Sequence, residues 1–270
     1  MCLSIGNNVM PSEIEIVEIF KALADPNRLH LFELLLCSDQ TNSELMDATG
    51  LRQNLLSHHL AMLHECGLIQ EHQSYGGDAR RHYYSINLAT ARQVRNWWED
   101  HSPLDPESLP VLKHPRRVLF LCLENATRSL MAEVMARYHT SGALIPTSAG
   151  VREPAAPLPE ALWQVLAEHN LPADSLVQKT YTALGDMTFD YVIVVCDIVH
   201  ESLVPPTFEG ATYMHWSLSD PTLEAPDDPL GQLEVARRLY DELDLRLALF
   251  VQCVAREEAA SASEPPAAKG

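Results

Sequence analysis

The segment Cys122-Leu123-Glu124-Asn125-Ala126-Thr127-Arg128-Ser129 sets a thiol and a guanidinium six positions apart, directly after the apolar run VLFLC and directly before LMAEVMARYH. Five intervening residues let the backbone curl so that successive N–H groups and the first turn of a helix face one oxyanion, with Arg128 closing the ring as a bidentate donor. The same positive surroundings favour the thiolate of Cys122, the form in which sulfur is nucleophilic. Ser129 can donate a hydroxyl hydrogen bond to that sulfur. The chemistry this implies is attack on a tetrahedral oxyanion, with Leu123, Glu124, Asn125, Ala126, Thr127, Arg128 and Ser129 as the anion loop and no metal involved. Glu124 sits awkwardly in such a loop, because a carboxylate near an oxyanion opposes binding unless it points outward.

A second group of residues suits a different task. Asp25-Pro26 supplies a cap and a first-turn proline for a helix Pro26 to Cys37. Thr41 or Asn42 caps Ser43 to Thr49, Gly50 ends it, and Arg52 to Glu65 follows with Leu55, Leu56, Leu60 and Leu63 inward. That spacing is helix-turn-helix. Arg52, Gln53, Asn54, Ser57 and His58 are polar residues at and near the head of that last helix. GLIQEHQSYGGDARRHYYSI then alternates around Gly76-Gly77 as a hairpin, a wing with Arg80 and Arg81 as positive charge at its far side. A helix from Leu88 to about Asp100, with Val94, Trp97 and Trp98, is expected to pack against a second subunit.

Around the thiol, VLFLC, helices Ser129 to His139 and Pro159 to His169, the run YVIVVC and a helix Gly231 to Val254 alternate strand with helix. That pattern implies a parallel sheet flanked by helices, with ligands at the strand carboxyl ends. The expected architecture is two domains: a mainly α winged helix-turn-helix over 1–100, a linker rich in proline over 101–115, and an α/β domain with a parallel four-stranded sheet over 116–254. Residues 255–270, small and polar, read as a disordered tail.

Composition agrees with two cores: 270 residues are 46% hydrophobic, with a net charge of -18. That charge excludes a protein that coats nucleic acid indiscriminately. Residues 1–113 carry eight Lys/Arg against fifteen Asp/Glu, so any DNA contact rests on a few clustered residues. No basic leader or apolar run of spanning length is present, which implies a cytoplasmic protein with no membrane partner. Six scattered cysteines lack the dense spacing of a secreted scaffold. Cys2, Cys37 and Cys66 are either a converging trithiolate for As(III) or core residues.

The register of LADPNRLHLFELL, ELMDATGLRQNLLSHHLAMLHECGLI and GGDARRHYYSI resembles the ArsR/SmtB family of winged-helix repressors over about residues 12 to 98. The resemblance implies a homodimer through this domain bound to operator DNA, with Arg52, Gln53, Asn54, Ser57 and His58 facing the major groove and Arg80 and Arg81 on the wing approaching phosphates or the minor groove. The C-x5-R-S loop, SAG at Ser148 to Gly150, FDYVIVVCD ending at Asp197 and HWSLSDP ending at Pro221 together resemble the low-molecular-weight tyrosine phosphatase superfamily, especially its arsenate reductase branch, over about residues 116 to 254. That resemblance implies Asp220 as the general acid, Asn125 as a brace of the loop and Cys196 as the resolving thiol. The third cysteine of the thioredoxin-coupled reductases is absent, since Leu203 and Val204 occupy its place.

Three routes accommodate that departure: an external thiol or redoxin reduces the enzyme, Cys253 substitutes, or no redox cycle occurs. The cofactor expectation is accordingly an external reductant (thioredoxin, glutaredoxin with glutathione, or mycothiol) and nothing tightly bound. Thr222 stands where phosphatases of the superfamily carry an aromatic residue, which points to a small inorganic substrate, arsenate or phosphate. The readings that follow are a reductase fused to an arsenic-resistance repressor, a phosphatase tethered to a DNA-binding domain, or an oxyanion-sensing regulator without turnover.

Overall fold

The structure, a computed structural model, describes residues 13–101, 112–173, 176–202 and 208–263. Cys2, Leu203 and Val204 and most of the proline-rich stretch lie outside these residues, as do the side chains of Trp97 and Trp98. The chain divides into two compact units, the second of which includes Cys37–Asp39 and Gln73–His82 besides the C-terminal part.

The first unit is helical. α1 (Glu13–Leu23) and α2 (Pro26–Cys37) are followed by the short β1 (Gln40–Thr41), then α3 (Asn42–Thr49) and α4 (Gln53–Glu65). Asp25 starts α2 as expected, its Oδ1 accepting from the backbone N–H of Asn27 and Arg28. Thr41 and Glu44 form a reciprocal capping box at α3, and Gly50 ends that helix at φ 68°, a left-handed turn that a side chain would strain. The strands β2 (Ile69–Gln73) and β3 (His82–Ile86) form the wing, with β3 central in the order β1-β3-β2. α5 (Leu88–His101) closes the unit. Leu31, Leu35, Leu45, Leu56, Leu60 and Leu63 make its core. One sequence expectation is corrected: Leu55 is 44% exposed, and His59 takes its place in the inward row. The helix starts at Gln53, so a 3.6-residue period puts 56, 59, 60 and 63 on one face and turns 55 away.

The second unit is built on four parallel strands, β4 (Arg116–Cys122), β5 (Leu144–Gly150), β6 (Tyr191–Val194) and β7 (Thr212–His215), in the order β5-β4-β6-β7. Val118 to Leu121 and Val192 to Ile193 are fully buried, so the central strands read as continuous apolar runs, as strands covered on both faces must. The covering helices are α6 (Thr127–His139), α7 (Glu160–Glu168), the short α8 (Asp197–Ser202) and α9 (Pro221–Glu224), and the long α10 (Pro229–Ser263). Truncating a fully buried leucine here, Leu119→Ala for example, costs about 2–5 kcal/mol.

The tail expected to be disordered after Ala255 is instead helical as far as Ser263. Its Ala and Glu residues are good helix formers, and Glu257 and Glu258 find partners in Tyr191 and Arg116. Among the described residues no helix is long and apolar enough to cross a membrane.

Candidate active site

The sheet order places three chemically capable residues at one end. β4 and β6 are neighbours with Leu121 level with Val194. Cys122 therefore emerges one residue beyond this register pair and Cys196 two residues beyond it, from adjacent strands. β7 lies next to β6, and the chain leaving it reaches Asp220. Strand carboxyl ends are where open parallel sheets bind ligands.

Between β4 and α6 the backbone folds back on itself. Asn125 adopts φ 51°, a left-handed conformation that Asn tolerates better than most residues. Its backbone N–H donates to Cys122 Sγ at 3.1 Å, and Ser129 Oγ lies 2.9 Å from the same sulfur. The loop presses on the end of β5: a Cβ added at Gly150 would stand 2.8 Å from Asn125 N and from the Glu124 carbonyl carbon. That contact accounts for the glycine in Ser148-Ala149-Gly150.

A cavity of about 360 Å³ opens above the loop, lined by Cys122, Leu123, Glu124, Ala126, Thr127 and Arg128, with Asp220 and Thr222 across from them. Asn125 and Ser129 are wholly buried beneath this floor and meet the sulfur from behind. Glu124 Oε2 accepts from Ala155 N at 3.4 Å, so its carboxylate is engaged by the neighbouring loop.

Arg128 is 6% exposed. Its Nη1 donates to Leu218 O at 3.1 Å and its Nη2 to Asp220 Oδ2 at 2.7 Å. Burial opposes the Arg128 cation, but the negative potential of Cys196, Asp220 and Cys122 outweighs it and raises its pKa. Asp220 caps α9, and its Oδ1 accepts from both the backbone N–H and the hydroxyl of Thr222, at 2.9 and 2.7 Å. Thr222 thus holds the candidate acid in place, a role that the sequence reading did not assign to it.

Cys196 is fully buried, and burial raises its thiol pKa while Arg128 works in the opposite direction. The next residue, Asp197, is also fully buried; it accepts from His215 Nε2 at 3.0 Å and from Ser217 Oγ at 2.9 Å. Burial works against that carboxylate, yet the hydrogen bonds it accepts from His215, the Tyr75 backbone and Ser217 prevail and hold its pKa below the ordinary value. Burial pushes the His215 pKa down against the pull of Asp197, and the His200 ring is stacked on it at 4.0 Å. Asp197 and His215 lie within the segments FDYVIVVCD and HWSLSDP, but nothing local marks a pair that meets only across neighbouring strands.

The trithiolate alternative includes Cys2, which lies outside the described residues; among the described residues no group of three or more metal-binding side chains occurs. Cys66 Sγ donates to Leu63 O at 3.2 Å. Cys37 and Cys253, both in the second unit, are hydrogen-bonded to each other, which with burial raises the Cys37 pKa.

In the first unit Gln53, Asn54, Ser57 and His58 are all exposed on α4, and Arg52, its N-cap, is exposed beside them. Arg80 and Arg81 are exposed on the wing, but Arg80 is held in a fork by Asp78, Nε to Oδ1 at 3.0 Å and Nη2 to Oδ2 at 2.9 Å.

A cysteine at a strand end, an arginine one loop later and an aspartate capping the opposite helix thus meet at one end of a parallel sheet, in a chain that also carries a winged helix-turn-helix. Residues 117–259 match the Low molecular weight phosphotyrosine protein phosphatase family, and the chain belongs to it. Residues 25–71 match Bacterial regulatory protein, arsR family. Over 79 residues the chain is 29% identical to the Transcriptional repressor SdpR of Bacillus subtilis (strain 168), covering 29% of this chain and 83% of that protein. Over 67 residues it is 34% identical to the Probable mercury resistance operon repressor of Streptomyces lividans, covering 25% of this chain and half of that protein's length. Among solved structures, an arsenate reductase in its phosphate-binding state is 23% identical with a TM-score of 0.41, covering 53% of this chain and 98% of that one. A low molecular weight protein tyrosine phosphatase from T. tengcongensis is likewise 23% identical with a TM-score of 0.41, covering 51% and 98%.

Proposed function

We propose that the second unit is a thiol-dependent arsenate reductase and that the first is an operator-binding repressor of arsenic resistance, acting as a homodimer. The observation that carries the reductase reading is the second thiol: Cys196 is buried one strand over from Cys122, at the same end of the sheet. A hydrolase has no use for it.

In this reading Cys122 attacks arsenic(V), held by the loop N–H groups and Arg128, while Asp220 protonates the departing oxygen. Cys196 then attacks the sulfur of the Cys122–arsenic bond. That bond breaks with its electron pair staying on arsenic, arsenite leaves, and the two cysteines share a disulfide. Two electrons from a thioredoxin, a glutaredoxin with glutathione, or mycothiol return both thiols.

A second reading has its own observation. Leu203 and Val204 fill the position of the usual third cysteine. Without a relay, Cys122 and Asp220 suffice for phosphomonoester hydrolysis by way of a phosphocysteine that water resolves.

Arsenite production by wild type, Cys122→Ser and Cys196→Ser, assayed with each reductant beside p-nitrophenyl phosphate hydrolysis, separates the two. Arsenite formation lost in both variants supports the reductase. Phosphate release that needs Cys122 and spares Cys196 replaces it with the phosphatase, and the absence of both activities leaves an oxyanion sensor.

A further inference from the structure

The tip of the wing, residues 73–82, belongs to the second compact unit. The hairpin closes on its own backbone, Ser74 N donating to Arg81 O at 3.1 Å and Arg81 N to Asp78 O at 2.8 Å, with Gly76 at φ 78°. Two further N–H groups leave the hairpin, and each meets a carboxylate of α8. Tyr75 N donates to Asp197 Oδ2 and Asp78 N to Glu201 Oε2, both at 2.5 Å. The fit is close: a Cβ added at Gly76 would stand 2.8 Å from Leu223 Cδ1 and 3.4 Å from Ile198 Cδ1, and one at Gly77 would overlap Glu201 Oε2.

The surroundings are acidic as well. A cavity of about 450 Å³ beside the tip is lined by Ser74, Tyr75 and Gly76 and, from α9 and α10, by Asp220, Glu224 and Glu242, with Arg238 pairing with Glu224. Backbone N–H groups flanked by arginines are donors of the kind that contact DNA phosphates. Here the N–H groups of Tyr75 and Asp78 are given to carboxylates, which offer the same sign of charge and the same acceptor chemistry as a phosphate.

We propose that α8 is a dock for the wing tip that competes with DNA: Asp197 and Glu201 accept the N–H groups that the tip otherwise gives to phosphate. Duplex binding then requires the tip to leave α8, and affinity is reduced in proportion to the fraction of chains left undocked. Asp197 directly follows Cys196, so the dock lies in the segment that carries the second thiol. This inference rests on reading the winged helix as a DNA binder and is independent of which oxyanion reaction the second unit performs.

Two substitutions loosen the dock by different means. Glu201→Ala removes an acceptor, whereas Gly77→Ala keeps every charge, needs no left-handed backbone and displaces the Glu201 carboxylate. Glu160→Ala removes the same charge as Glu201→Ala from an exposed position on α7 and serves as the control. In the full chain, affinity for a fluorescent duplex of arbitrary sequence is read by anisotropy, and hydrogen exchange over residues 73–82 and 197–202 by peptide mass spectrometry. Glu201→Ala and Gly77→Ala are expected to bind the duplex about fivefold more tightly than wild type and to exchange faster over 73–82, with Glu160→Ala near wild type in both. Saturating duplex is expected to speed the exchange of 197–202 in wild type. Should Gly77→Ala disturb the turn itself, Glu201→Ala against its control decides. Variants that exchange faster over 73–82 but bind no more tightly than Glu160→Ala overturn the competition, as does a duplex that leaves 197–202 unchanged; wild-type exchange in both variants overturns the dock. A chain that binds no duplex in any form overturns the operator-binding reading instead, and exchange over 73–82 still judges the dock.

Discussion

Arg128 and Asp220 hold each other across the mouth of the cavity, with Nη2 2.7 Å from Oδ2. In the proposed reaction the guanidinium that clamps the oxyanion is therefore already engaged by the carboxylate that protonates the leaving oxygen. An arriving dianion competes with Asp220 for the same N–H groups and, once seated, frees that carboxylate. Asp220→Asn removes the competing charge and keeps the shape. Inorganic phosphate is expected to bind this variant several-fold more tightly by calorimetry, while turnover falls about 100-fold for want of a general acid. Unchanged affinity with unchanged turnover would leave Asp220 with neither role.

The second thiol carries a pH signature. Burial holds the Cys196 pKa above the ordinary thiol value against the pull of Arg128, and it is the thiolate that attacks. Under single turnover with arsenate and no external reductant, formation of the Cys122–Cys196 disulfide is expected to accelerate about tenfold per pH unit from pH 7 to 8.5. Rapid acid quench followed by mass spectrometry of the linked peptides reads it. A rate independent of pH over that range would mean that thiolate formation at Cys196 does not limit the step.

How far the sequence discloses this site depends on locality. Cys122, Arg128 and Ser129 share one loop, so their spacing alone exposes them. Asn125 follows from the resemblance, and its left-handed backbone supplies the physical reason. Glu133, Ser148 and Lys179 come from a helix, a strand and a loop and meet only because β4 and β5 are paired and α6 crosses them, which no short-range pattern records. The same holds for Asp197 with His215, on neighbouring strand ends. The helical extension beyond Ala255 is not legible in composition, which resembles that of a disordered tail; its ordering comes from long-range partners such as Arg116.

Asp197 and His215 make the second unit sensitive to acid. Buried His215 has a depressed pKa, so the folded state resists its protonation. Its contribution is complete above the unfolded value near 6.5 and declines as pH falls below that. Asp197, also depressed, contributes above the unfolded value of 3.8 and loses that contribution as pH falls further. Both effects have the same sign. The urea midpoint is expected to drop between pH 6.5 and 4, and His215→Gln, which can still donate to Asp197 without titrating there, should flatten the upper part of that fall. An equally steep drop in the variant would assign the acid sensitivity to other groups.

On the wing, the charge available for DNA is governed by a neighbour. Arg80 is exposed, but Asp78 engages it through two hydrogen bonds, and the hydrogen bond from Arg80 holds the Asp78 pKa at about 2. Asp78 therefore remains a carboxylate at any pH where DNA binding is measured, and it occupies the N–H groups that Arg80 would offer a phosphate. Asp78→Asn removes that anion and releases the guanidinium. Binding to a duplex of arbitrary sequence, followed by fluorescence anisotropy over a salt series, should strengthen, and the slope of log K against log salt should steepen by about 0.9 for one added phosphate contact. Arg80→Ala should weaken binding and flatten the slope. If neither variant changes the slope, Arg80 does not reach the backbone, and the electrostatic contact has to come from Arg52 at the head of α4 or from Arg81 on the wing.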